Sequence, residues 1–411
     1  MTAIGLDDIR DAARLIEGEV LRTPLVPAPR LSRLTGAALS LKLENLQHTG
    51  SFKTRGALVK LRSLPPAAHA AGVIAMSAGN HAQGVAFHAQ RLGIPATIVM
   101  PEGTPFTKVE RTRELGARVS LHGETLSESG RFAAELARKE GLTFVHPYDD
   151  PDIIRGQGTV GLEMLADDPG LDTLVVPIGG GGLIAGIAIA AKALNPAIRV
   201  IGVEAALYPS MSDALAGRPA SSGGQTLAEG IAVKAPGSLT LPVVRALVEE
   251  VVLVSEERIE RAVQLLMEEQ KLVAEGAGAA GLAAMLTRPE LFAGRRVGMV
   301  VGGGNIDSRI LSSVLLRGLV RDHRLVRLRA EITDQPGTLA RVARIIGEAG
   351  GNIVEIYHQR LFEDVPVKLA ELDAVVETRN RAHVEDILER LTAAGFRTRV
   401  LGTTNLAGES V

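Results

Sequence analysis

The stretch Gln47-His-Thr-Gly-Ser-Phe-Lys-Thr-Arg-Gly-Ala57 decides how the chain can be interpreted. The alternating apolar run at 39–44 precedes it and is typical of a strand, and a helical pattern follows from Ala57 onward. Lys53 is therefore predicted near the start of a helix, beside Phe52. The positive end of a helix dipole can depress the pKa of an amine, and such a lysine suits Schiff-base chemistry. From this stretch alone, a surface lysine in a loop is an equally good interpretation.

Composition argues against several classes of function. Apolar residues make up 46% of the chain and aromatic residues only 3%, which predicts a large core of Ala, Val, Ile and Leu. The formal net charge is −2 without a basic block, which argues against nucleic acid or an anionic membrane as partners. The absence of cysteine excludes disulfides and thiolate chemistry and fits a cytoplasmic location. The first residues predict an acidic amphipathic helix rather than a signal peptide, and the longest apolar stretches are too short to cross a bilayer.

Strand and helix patterns alternate over most of the chain. Continuous apolar strands separated by helices predict an α/β fold with a parallel sheet that is covered on both faces. Ligands bind at the carboxyl ends of the strands in such sheets. The strands predicted before the carboxyl-terminal region are 39–44, 72–76, 96–100, 117–121, 174–178, 199–203 and 296–301.

The pattern changes near residues 320–329, where arginines crowd together and predict a linker and a solvated strand edge. The residues beyond it predict the order strand, helix, strand, strand, helix, strand, which is a ferredoxin-like unit. We therefore predict two domains, at 1–322 and 323–411. The elements predicted in the second are 325–332, 338–349, 352–361, 367–378, 382–394 and 396–401.

A run of glycines, Gly179-Gly-Gly-Gly-Leu183, directly follows a predicted strand and opens a helix. Backbone amides at such a helix start form an anion site, most often for a phosphate. Gly180-x-Gly182-x-x-Ala185 also satisfies the dinucleotide fingerprint, with Glu204 placed as a ribose acceptor. A nicotinamide-dependent oxidoreductase is thus an open alternative. The position in mid-chain argues against it, and such a site gives Lys53 no role.

Two further turns follow predicted strands. Ser77-Ala-Gly-Asn-His81 could cap its helix or bind a carboxylate, with Asn80 free to donate to a phenolic or carbonyl oxygen. Gly302-Gly-Gly-Asn305 would bring backbone close to a flat or bulky group. Together with Lys53 and the phosphate loop, these turns are what a pyridoxal phosphate site requires.

The chain resembles the fold-type II pyridoxal phosphate enzymes, and most closely the threonine (serine/threonine) dehydratases, also called threonine ammonia-lyases. The region after the arginine-rich linker resembles an ACT regulatory domain through Asp334-Gln-Pro-Gly-x-Leu339. The resemblance implies a two-subdomain catalytic region of the tryptophan synthase beta type, with a small subdomain inserted at roughly 50–150. The other motifs that carry the resemblance are Gly50–Gly56, Ser77–Gly84, Pro147–Asp150, Gly156–Gly158, Gly179–Leu183, Glu275–Gly278 and Gly303–Asp307.

The resemblance implies a role in binding the cofactor for several residues. Lys53 would hold the cofactor aldehyde covalently, and Phe52 would pack on its ring. Asn80 would donate to the phenolic oxygen, and Glu275 would lie near the ring. The phosphate would be bound by Gly179, Gly180, Gly181, Gly182 and Leu183.

Two positions in the implied site bear on the reaction type. The substrate carboxylate would bind the turn Ser77, Ala78, Gly79, Asn80 and His81. Racemases of this family carry a second serine where this chain has Ala78, which favours dehydration. Gly302 takes the place of a Ser, Thr or Cys that contacts the pyridine nitrogen in related enzymes. An unprotonated ring nitrogen is a weaker electron sink, which suits β-elimination.

The implied activity is β-elimination of water from L-threonine or L-serine, giving 2-oxobutanoate or pyruvate and ammonia. A serine or 3-hydroxyaspartate dehydratase and a non-catalytic amino-acid sensor that keeps the cofactor are alternatives. The tail would either bind a branched-chain amino acid near Gly337 and Asn352 or only assemble a homodimer or homotetramer. The sequence assigns no metal ligand and leaves cation dependence open, because Glu204 resembles a cation ligand of some relatives whereas Ser210 stands where they have an acid.

Overall fold

The computed structural model of the protein describes residues 4–359 and 369–401. Its strands, in chain order, are β1 (Leu25–Pro27), β2 (Ala38–Lys42), β3 (Val73–Met76), β4 (Ala96–Met100), β5 (Arg118–Leu121), β6 (Thr143–Phe144), β7 (Thr173–Pro177), β8 (Arg199–Ala205), β9 (Glu250–Val254), β10 (Arg296–Val300), β11 (Leu325–Thr333), β12 (Asn352–Gln359), β13 (Leu369–Glu377) and β14 (Arg397–Val400).

The helices lie between these strands for most of the chain. They are α1 (Leu6–Ile16), α2 (Pro29–Thr35), α3 (Lys53–Arg62), α4 (Pro66–Ala71), α5 (Asn80–Leu92), α6 (Phe106–Glu114), α7 (Leu126–Glu140), α8 (Pro151–Asp167), α9 (Gly182–Leu194), α10 (Ser210–Leu215), α11 (Thr240–Leu247), α12 (Glu256–Gln270), α13 (Gly276–Thr287), α14 (Ser308–Arg321), α15 (Thr338–Glu348) and α16 (Arg381–Ala393). Within the described parts of the chain, none of the helices is long and apolar enough to traverse a bilayer.

The chain divides into two compact units, Met1–Ile306 and Asp307–Val411. Helix α14 belongs to the second unit, whereas the boundary expected from the sequence falls after this helix, between residues 322 and 323. That functional boundary stays a prediction. The α/β class of the first unit and the ferredoxin-like order of the second are both confirmed.

The first unit contains a six-stranded sheet with the order β1-β2-β10-β7-β8-β9. Its strands are parallel except for β1, a short antiparallel edge strand that the sequence patterns did not reveal. Pro27 ends β1, and an edge position tolerates a proline because the missing amide would have faced outward. Strands β2, β10 and β7 are neighbours, so the segments that follow them emerge side by side at one edge of the sheet.

A second sheet in the first unit has the order β5-β4-β3-β6 and is parallel throughout. All four strands lie between β2 and β7 in the chain. Buried side chains of α3 and α5, such as Leu61 and Val85, pack in one cluster with Ile98 of β4 and Ile153 of α8. This packing fixes both the start of α3 and the turn after β3 against one core.

The second unit is a four-stranded sheet with the order β12-β13-β11-β14, and all its pairs are antiparallel. Val342 and Ile346 of α15 and Ile387 of α16 pack with the buried side chains of the sheet. The predicted order of elements is confirmed. Residues 360, 361, 367 and 368, at the ends of the two strands predicted in the middle of this unit, lie outside the described residues.

Candidate active site

Lys53 is the first residue of α3 and is half-buried. Its Nζ donates a hydrogen bond to the backbone oxygen of Pro147 at 2.9 Å and lies 5.2 Å from the centre of the Phe52 ring. Burial lowers the pKa of the Lys53 amine to about 8, and the nearby Glu275 carboxylate opposes this shift. The predicted direction of the pKa shift is confirmed, with desolvation as the main cause. About a tenth of the amine is therefore unprotonated at pH 7, far more than for a lysine with the ordinary pKa of 10.5.

Backbone contacts join the turn before Lys53 to the turn after β10. Ser51 forms an isolated antiparallel bridge with Gly303, and the amide of Phe52 donates to the Gly302 oxygen at 3.1 Å. Gly50 has a φ of +71°, and a Cβ there would lie 2.7 Å from Oδ1 of Asn305. Glycine is thus required both by its backbone conformation and by this close approach. The result places Lys53 beside the glycine turn of a neighbouring strand.

A chain of side-chain hydrogen bonds connects Asn80, Glu275 and Asn305. Asn80 Nδ2 donates to Glu275 Oε1 at 2.7 Å, and Asn305 Nδ2 donates to Asn80 Oδ1 at 2.8 Å. Burial raises the pKa of the Glu275 carboxyl to about 7. The charge of each of the two groups, Glu275 and Lys53, shifts the pKa of the other, so the two interact electrostatically. Asn305 belongs to the motif Gly303–Asp307, but the sequence predicted no role for its side chain.

The turn Ser77–His81 leads from β3 into α5, and its residues differ in what they present. The Gly79 amide donates to Ser77 Oγ at 3.2 Å, and a Cβ at Gly79 would meet no atom of the described residues within 4 Å. The turn therefore faces open space. The His81 ring, in contrast, is buried, lies 2.9 Å from the Val145 oxygen, and has its pKa lowered to about 3 by burial. The turn offers a ligand the backbone of His81 rather than its imidazole.

The glycine loop after β7 is held by its carbonyl groups. Thr240 Oγ1 and the Gly237 amide donate to the Gly180 oxygen at 2.6 and 3.1 Å. Because the peptide is trans, the amide of Gly181 points away from that segment. Gly181 has a φ of +95° and precedes α9, whose first amides have no partners within the helix. These amides, together with the helix dipole, suit an anion.

Tyr148 is a site residue that sequence reasoning missed. Its ring lies against Gly180, where a Cβ would overlap it, and its backbone oxygen would lie 2.8 Å from a Cβ at Gly182. The adjacent Asp149 accepts from the Ser238 and Leu239 amides, both at 2.8 Å. The Pro147–Asp150 motif was the sequence signal that could have identified Tyr148, but it was interpreted only as a turn. This segment therefore contacts Lys53, the glycine loop and the start of α11.

Gly302 lies buried on the Phe52 side of the site. A Cβ at Gly302 would lie 3.4 Å from the nearest Phe52 ring atom, an ordinary contact distance. The hydroxyl oxygens of Thr49 and Ser51 are buried nearby and have no hydrogen-bond partner among the described residues. Buried hydroxyls normally find a partner, so their state is consistent with a polar ligand. The site fits pyridoxal phosphate, with an amine for its aldehyde, helix amides for its phosphate and an amide donor for its phenolic oxygen.

Glu204, the acceptor proposed for a dinucleotide ribose, has another use. Its buried carboxylate accepts from the Met211 amide at 2.7 Å and from the amide and hydroxyl of Ser212 at 2.9 and 2.7 Å. Glu204 thus satisfies the first turn of α10. The oxidoreductase alternative consequently lacks its ribose acceptor.

The two residues proposed for an effector have different surroundings in the second unit. Gly337, with a φ of +88°, lines a cleft of about 230 Å³ together with Ile332, Leu339 and His358. Asn352 instead donates to Glu377 Oε2 on the neighbouring strand, at 3.1 Å. The structure therefore places Gly337 at a cleft, whereas the Asn352 amide contacts β13.

Similarity to known proteins agrees with this geometry. A family model described as "Pyridoxal-phosphate dependent enzyme" matches residues 16–303, and one described as "ACT domain" matches residues 326–396. The L-threonine ammonia-lyases of Thermotoga maritima and Geobacter sulfurreducens are similar to this chain over nearly their whole length. The first is 45% identical over 401 residues, covering 97% of this chain and 100% of that protein. The second is 46% identical over 398 residues, covering 96% and 98%.

A solved structure shares the catalytic fold. The processed form of threonine deaminase isoform 2 from Solanum lycopersicum superposes with a TM-score of 0.72 at 36% identity, covering 76% of this chain and 87% of that one. The chain belongs to the family of pyridoxal-phosphate dependent enzymes and carries an ACT domain on the carboxyl side of its catalytic unit.

Proposed function

We propose that this protein is a threonine ammonia-lyase, which converts L-threonine to 2-oxobutanoate and ammonia through loss of the β-hydroxyl as water. The observation that carries the proposed chemistry is the Lys53 amine, whose pKa is lowered to about 8, at the edge where the segments after β2, β10 and β7 emerge. The choice of threonine is supported by the two L-threonine ammonia-lyases that match nearly the whole chain.

The proposed cofactor contacts follow from the groups that the site presents. Pyridoxal phosphate, when bound, withdraws electrons from the α-carbon of an amino acid attached to its aldehyde carbon. Lys53 would hold that aldehyde in the resting enzyme, and Phe52 would contact the ring. The amides of Gly179–Leu183 would bind the phosphate, and Asn80 would donate its second amide hydrogen to the phenolic oxygen. Glu275 would accept from Asn80 and keep that donor in place.

The substrate would bind at the turn before α5. The turn is open at Gly79, where a Cβ would meet no atom of the described residues within 4 Å, and α5 directs the positive end of its dipole toward that turn. A carboxylate at this position would accept amide hydrogen bonds and gain from the dipole. With its carboxylate bound there, the amino acid would present its α-carbon to Lys53.

Lys53 would carry out the proton transfers. After the substrate amine takes its place, the neutral Lys53 amine would remove the α-proton, which its lowered pKa favours near neutral pH. The resulting ammonium would return a proton to the departing β-hydroxyl, so that water leaves. Lys53 would then take its place on the aldehyde again and release 2-aminobut-2-enoate, which would hydrolyse with one water to 2-oxobutanoate and ammonia. Ala78 supplies no second base on the opposite face, which favours elimination over racemisation.

A single assay tests the function. Purified protein loaded with pyridoxal phosphate is incubated separately with L-threonine, L-serine and L-3-hydroxyaspartate, and 2-oxo acid and ammonia are measured. We expect kcat/KM to be greatest for threonine and borohydride reduction to fix the cofactor onto Lys53. A preference for serine or 3-hydroxyaspartate would reassign the substrate. Cofactor labelling without any 2-oxo acid would instead support the non-catalytic sensor.

We further propose that a branched-chain amino acid binds between two paired ACT units, at the cleft that Gly337 lines; within one unit, Asn352 lies at the opposite end of β12 from His358 of that cleft and is not part of it. Glycine at this position exposes backbone at the start of α15, and Ile332 and Leu339 offer apolar contacts. Half-exposed apolar side chains on the edge strand β12, among them Val354 and Tyr357, support pairing of this unit with a second copy. We also expect a homodimer or homotetramer in the cytoplasm.

The regulatory proposal has its own measurement. Threonine saturation curves are recorded with and without isoleucine, valine or leucine, and molar mass is determined by light scattering. We expect one of these amino acids to shift the half-saturating threonine concentration. If none of the three amino acids changed the saturation curve, assembly of the oligomer would be the only role left for the ACT unit. A monomeric protein would exclude that role as well.

A further inference from the structure

Asn305 lies between two polar groups of the site, the Thr49 carbonyl and the Asn80 amide, and the chemistry of the carbonyl fixes the orientation of both amide side chains. Its Nδ2 donates to the backbone oxygen of Thr49 at 2.7 Å and to Oδ1 of Asn80 at 2.8 Å. A backbone carbonyl can only accept hydrogen bonds, so the Asn305 atom that faces Thr49 must be its nitrogen. Both hydrogens of that nitrogen are then used.

The orientation passes from Asn305 to Asn80. Because the Asn305 nitrogen can only donate, the Asn80 atom that faces it must be the oxygen. The Asn80 nitrogen therefore faces the opposite way, where it donates to Glu275 Oε1 at 2.7 Å. One hydrogen of the Asn80 amide remains for a further acceptor.

The surrounding backbone leaves room for this arrangement only because glycines stand on both sides. A Cβ at Gly50 would lie 2.7 Å from Asn305 Oδ1, and a Cβ at Gly303 would lie 3.2 Å from Asn80 Nδ2. The Gly304 amide also donates to the Gly50 oxygen at 2.9 Å, which joins the two turns. The Asn305 side chain is thus confined between fixed backbone segments.

We infer that Asn305 is a positioning residue that makes Asn80 present an N–H group, and not its carbonyl, to the phenolic oxygen of the cofactor. This inference rests on the proposed contact between Asn80 and that oxygen. The Thr49 carbonyl is the reference that sets the direction of the whole chain of hydrogen bonds. If Asn80 were reversed, its oxygen would face the phenolic oxygen and the Glu275 carboxyl, which in its ionised form only accepts.

The test is Asn305→Asp, which keeps the shape of the side chain but removes both donors. In this variant the Asn80 amide is expected to reverse, because its nitrogen can then donate to the introduced carboxylate. We expect the dissociation constant of pyridoxal phosphate to rise by about tenfold or more, and the absorbance maximum of the bound cofactor to shift. Both are measured by titrating the cofactor-free full chain. Asn195→Asp is the matched control, since the Asn195 oxygen only accepts, from the Ala197 amide at 3.1 Å.

A double-variant cycle separates positioning from a general effect of charge or structure. Asn80→Ala is expected to weaken cofactor binding, and adding Asn305→Asp to it should change the dissociation constant by less than about twofold. An equal loss from Asn305→Asp in both backgrounds would overturn the inference. The inference would also be overturned if Asn305→Asp kept the wild-type absorbance spectrum and cofactor affinity while Asn80→Ala changed both. If Asn80→Ala itself changes neither, the proposed Asn80 contact fails instead.

Asn305→Ala keeps the inference testable if the aspartate variant does not fold. Alanine removes the donor without offering an acceptor, so Glu275 can still hold the Asn80 nitrogen in place. We expect a smaller rise in the dissociation constant than the aspartate variant gives. A role in packing alone predicts the reverse order, because alanine removes more contacts than the isosteric aspartate, and that order would overturn the inference.

Discussion

Lys53 and Arg55 lie on the first turn of the same helix, yet their surroundings give them opposite properties. Lys53 is half-buried, bonds a backbone carbonyl, and has a pKa lowered to about 8. Arg55 is fully buried, and its pKa is raised by the carboxylates of Glu44 and Glu163. Burial disfavours the charged form of both side chains, but only Arg55 has carboxylates bonded to it. Partner groups, rather than burial, decide which cation is reactive and which is structural.

The partners of Arg55 form a buried charge cluster of Arg55, Lys42, Glu44 and Glu163. Arg55 Nε and Nη2 each donate to Glu44 at 2.8 Å, and Nη1 donates to Glu163 at 2.6 Å. Lys42 Nζ also donates to Glu163, at 2.5 Å. Two positive and two negative charges balance, and the guanidinium donors match carboxylates on both sides. The cluster ties α3 to β2 and α8, and so fixes the helix that carries Lys53.

The largest expected effect comes from removing the reactive cation. Lys53→Ala should reduce kcat for threonine by about 10⁴-fold, because the general base is lost. Steady-state production of 2-oxobutanoate measures the change. Lys60→Ala is the matched control on the same helix; Lys60 pairs with Asp150 at 2.6 Å, and kcat should stay within about twofold. Comparable activity in the two variants would contradict the assignment of Lys53.

Removing the structural cation should instead affect stability. Arg55→Met leaves Glu44 and Glu163 short of a buried partner and should lower the free energy of unfolding by about 3–5 kcal/mol. Urea unfolding of the cofactor-free protein measures the loss. The double variant Arg55→Met with Glu44→Gln should lose less than Arg55→Met alone, since one unpaired carboxylate is neutralised. An equal or larger loss would show that the charge pairing is not what the cluster contributes.

Glu275, the carboxylate that opposes the pKa shift of Lys53, should make stability depend on pH. Its pKa is raised from 4.5 to about 7, so the folded protein holds an extra proton between these values. The contribution of this extra proton to the free energy of unfolding is fully present below pH 4.5 and is lost as pH rises through 7. Glu275→Gln should remove a loss of about 3 kcal/mol across this range. Urea midpoints of cofactor-free wild type and variant are compared at intervals of pH; parallel curves would contradict the shifted pKa.

The smallest expected effect is at Gly302, which offers a bound ring no side chain. A Cβ there would lie 3.4 Å from the Phe52 ring, so Gly302→Ser should fold. Its hydroxyl would supply a partner for the pyridine nitrogen and should change kcat by less than about tenfold. Gly302→Ala, which adds the Cβ without the hydroxyl, is the control. Identical kcat values and absorbance spectra for the two variants would mean that the hydroxyl does not reach the ring.

Sequence patterns predicted seven of the ten strands before residue 301 to within two residues, because buried parallel strands have a distinct apolar pattern. The turns at Gly50, Gly79, Gly181 and Gly303 were also recognisable, since glycines after a strand mark backbone that must bend or approach another group closely. Strands β1, β6 and β9 were missed. Strand β1 has only three residues and ends in a proline, and β6 has only two residues, so neither carries a periodic signal.

The side-chain partners could not be predicted in the same way. The pair Asp149-Asp150 precedes Pro151, which predicts a turn, yet the Asp149 carboxylate accepts from the amides of residues 238 and 239. His81 was expected in the substrate turn, but its ring faces Val145. Arg55 gave no signal at all beyond its place in a motif. In each case the partner lies far along the chain, and local patterns contain no information about which distant segment is adjacent.

The sequence by itself determined the class of fold, the succession of strand-end turns and the residue types that chemistry requires, because these depend on local periodicity and backbone conformation. The tertiary structure alone decided that β2, β10 and β7 are neighbours, which brings the turns at Lys53, Gly302 and Gly179 to one edge of a sheet. It also decided that, among the described residues, Arg55 bonds to two carboxylates whereas Lys53 bonds to a backbone carbonyl. Burial and charge pairing arise from contacts between distant segments, and these contacts set the pKa of each group.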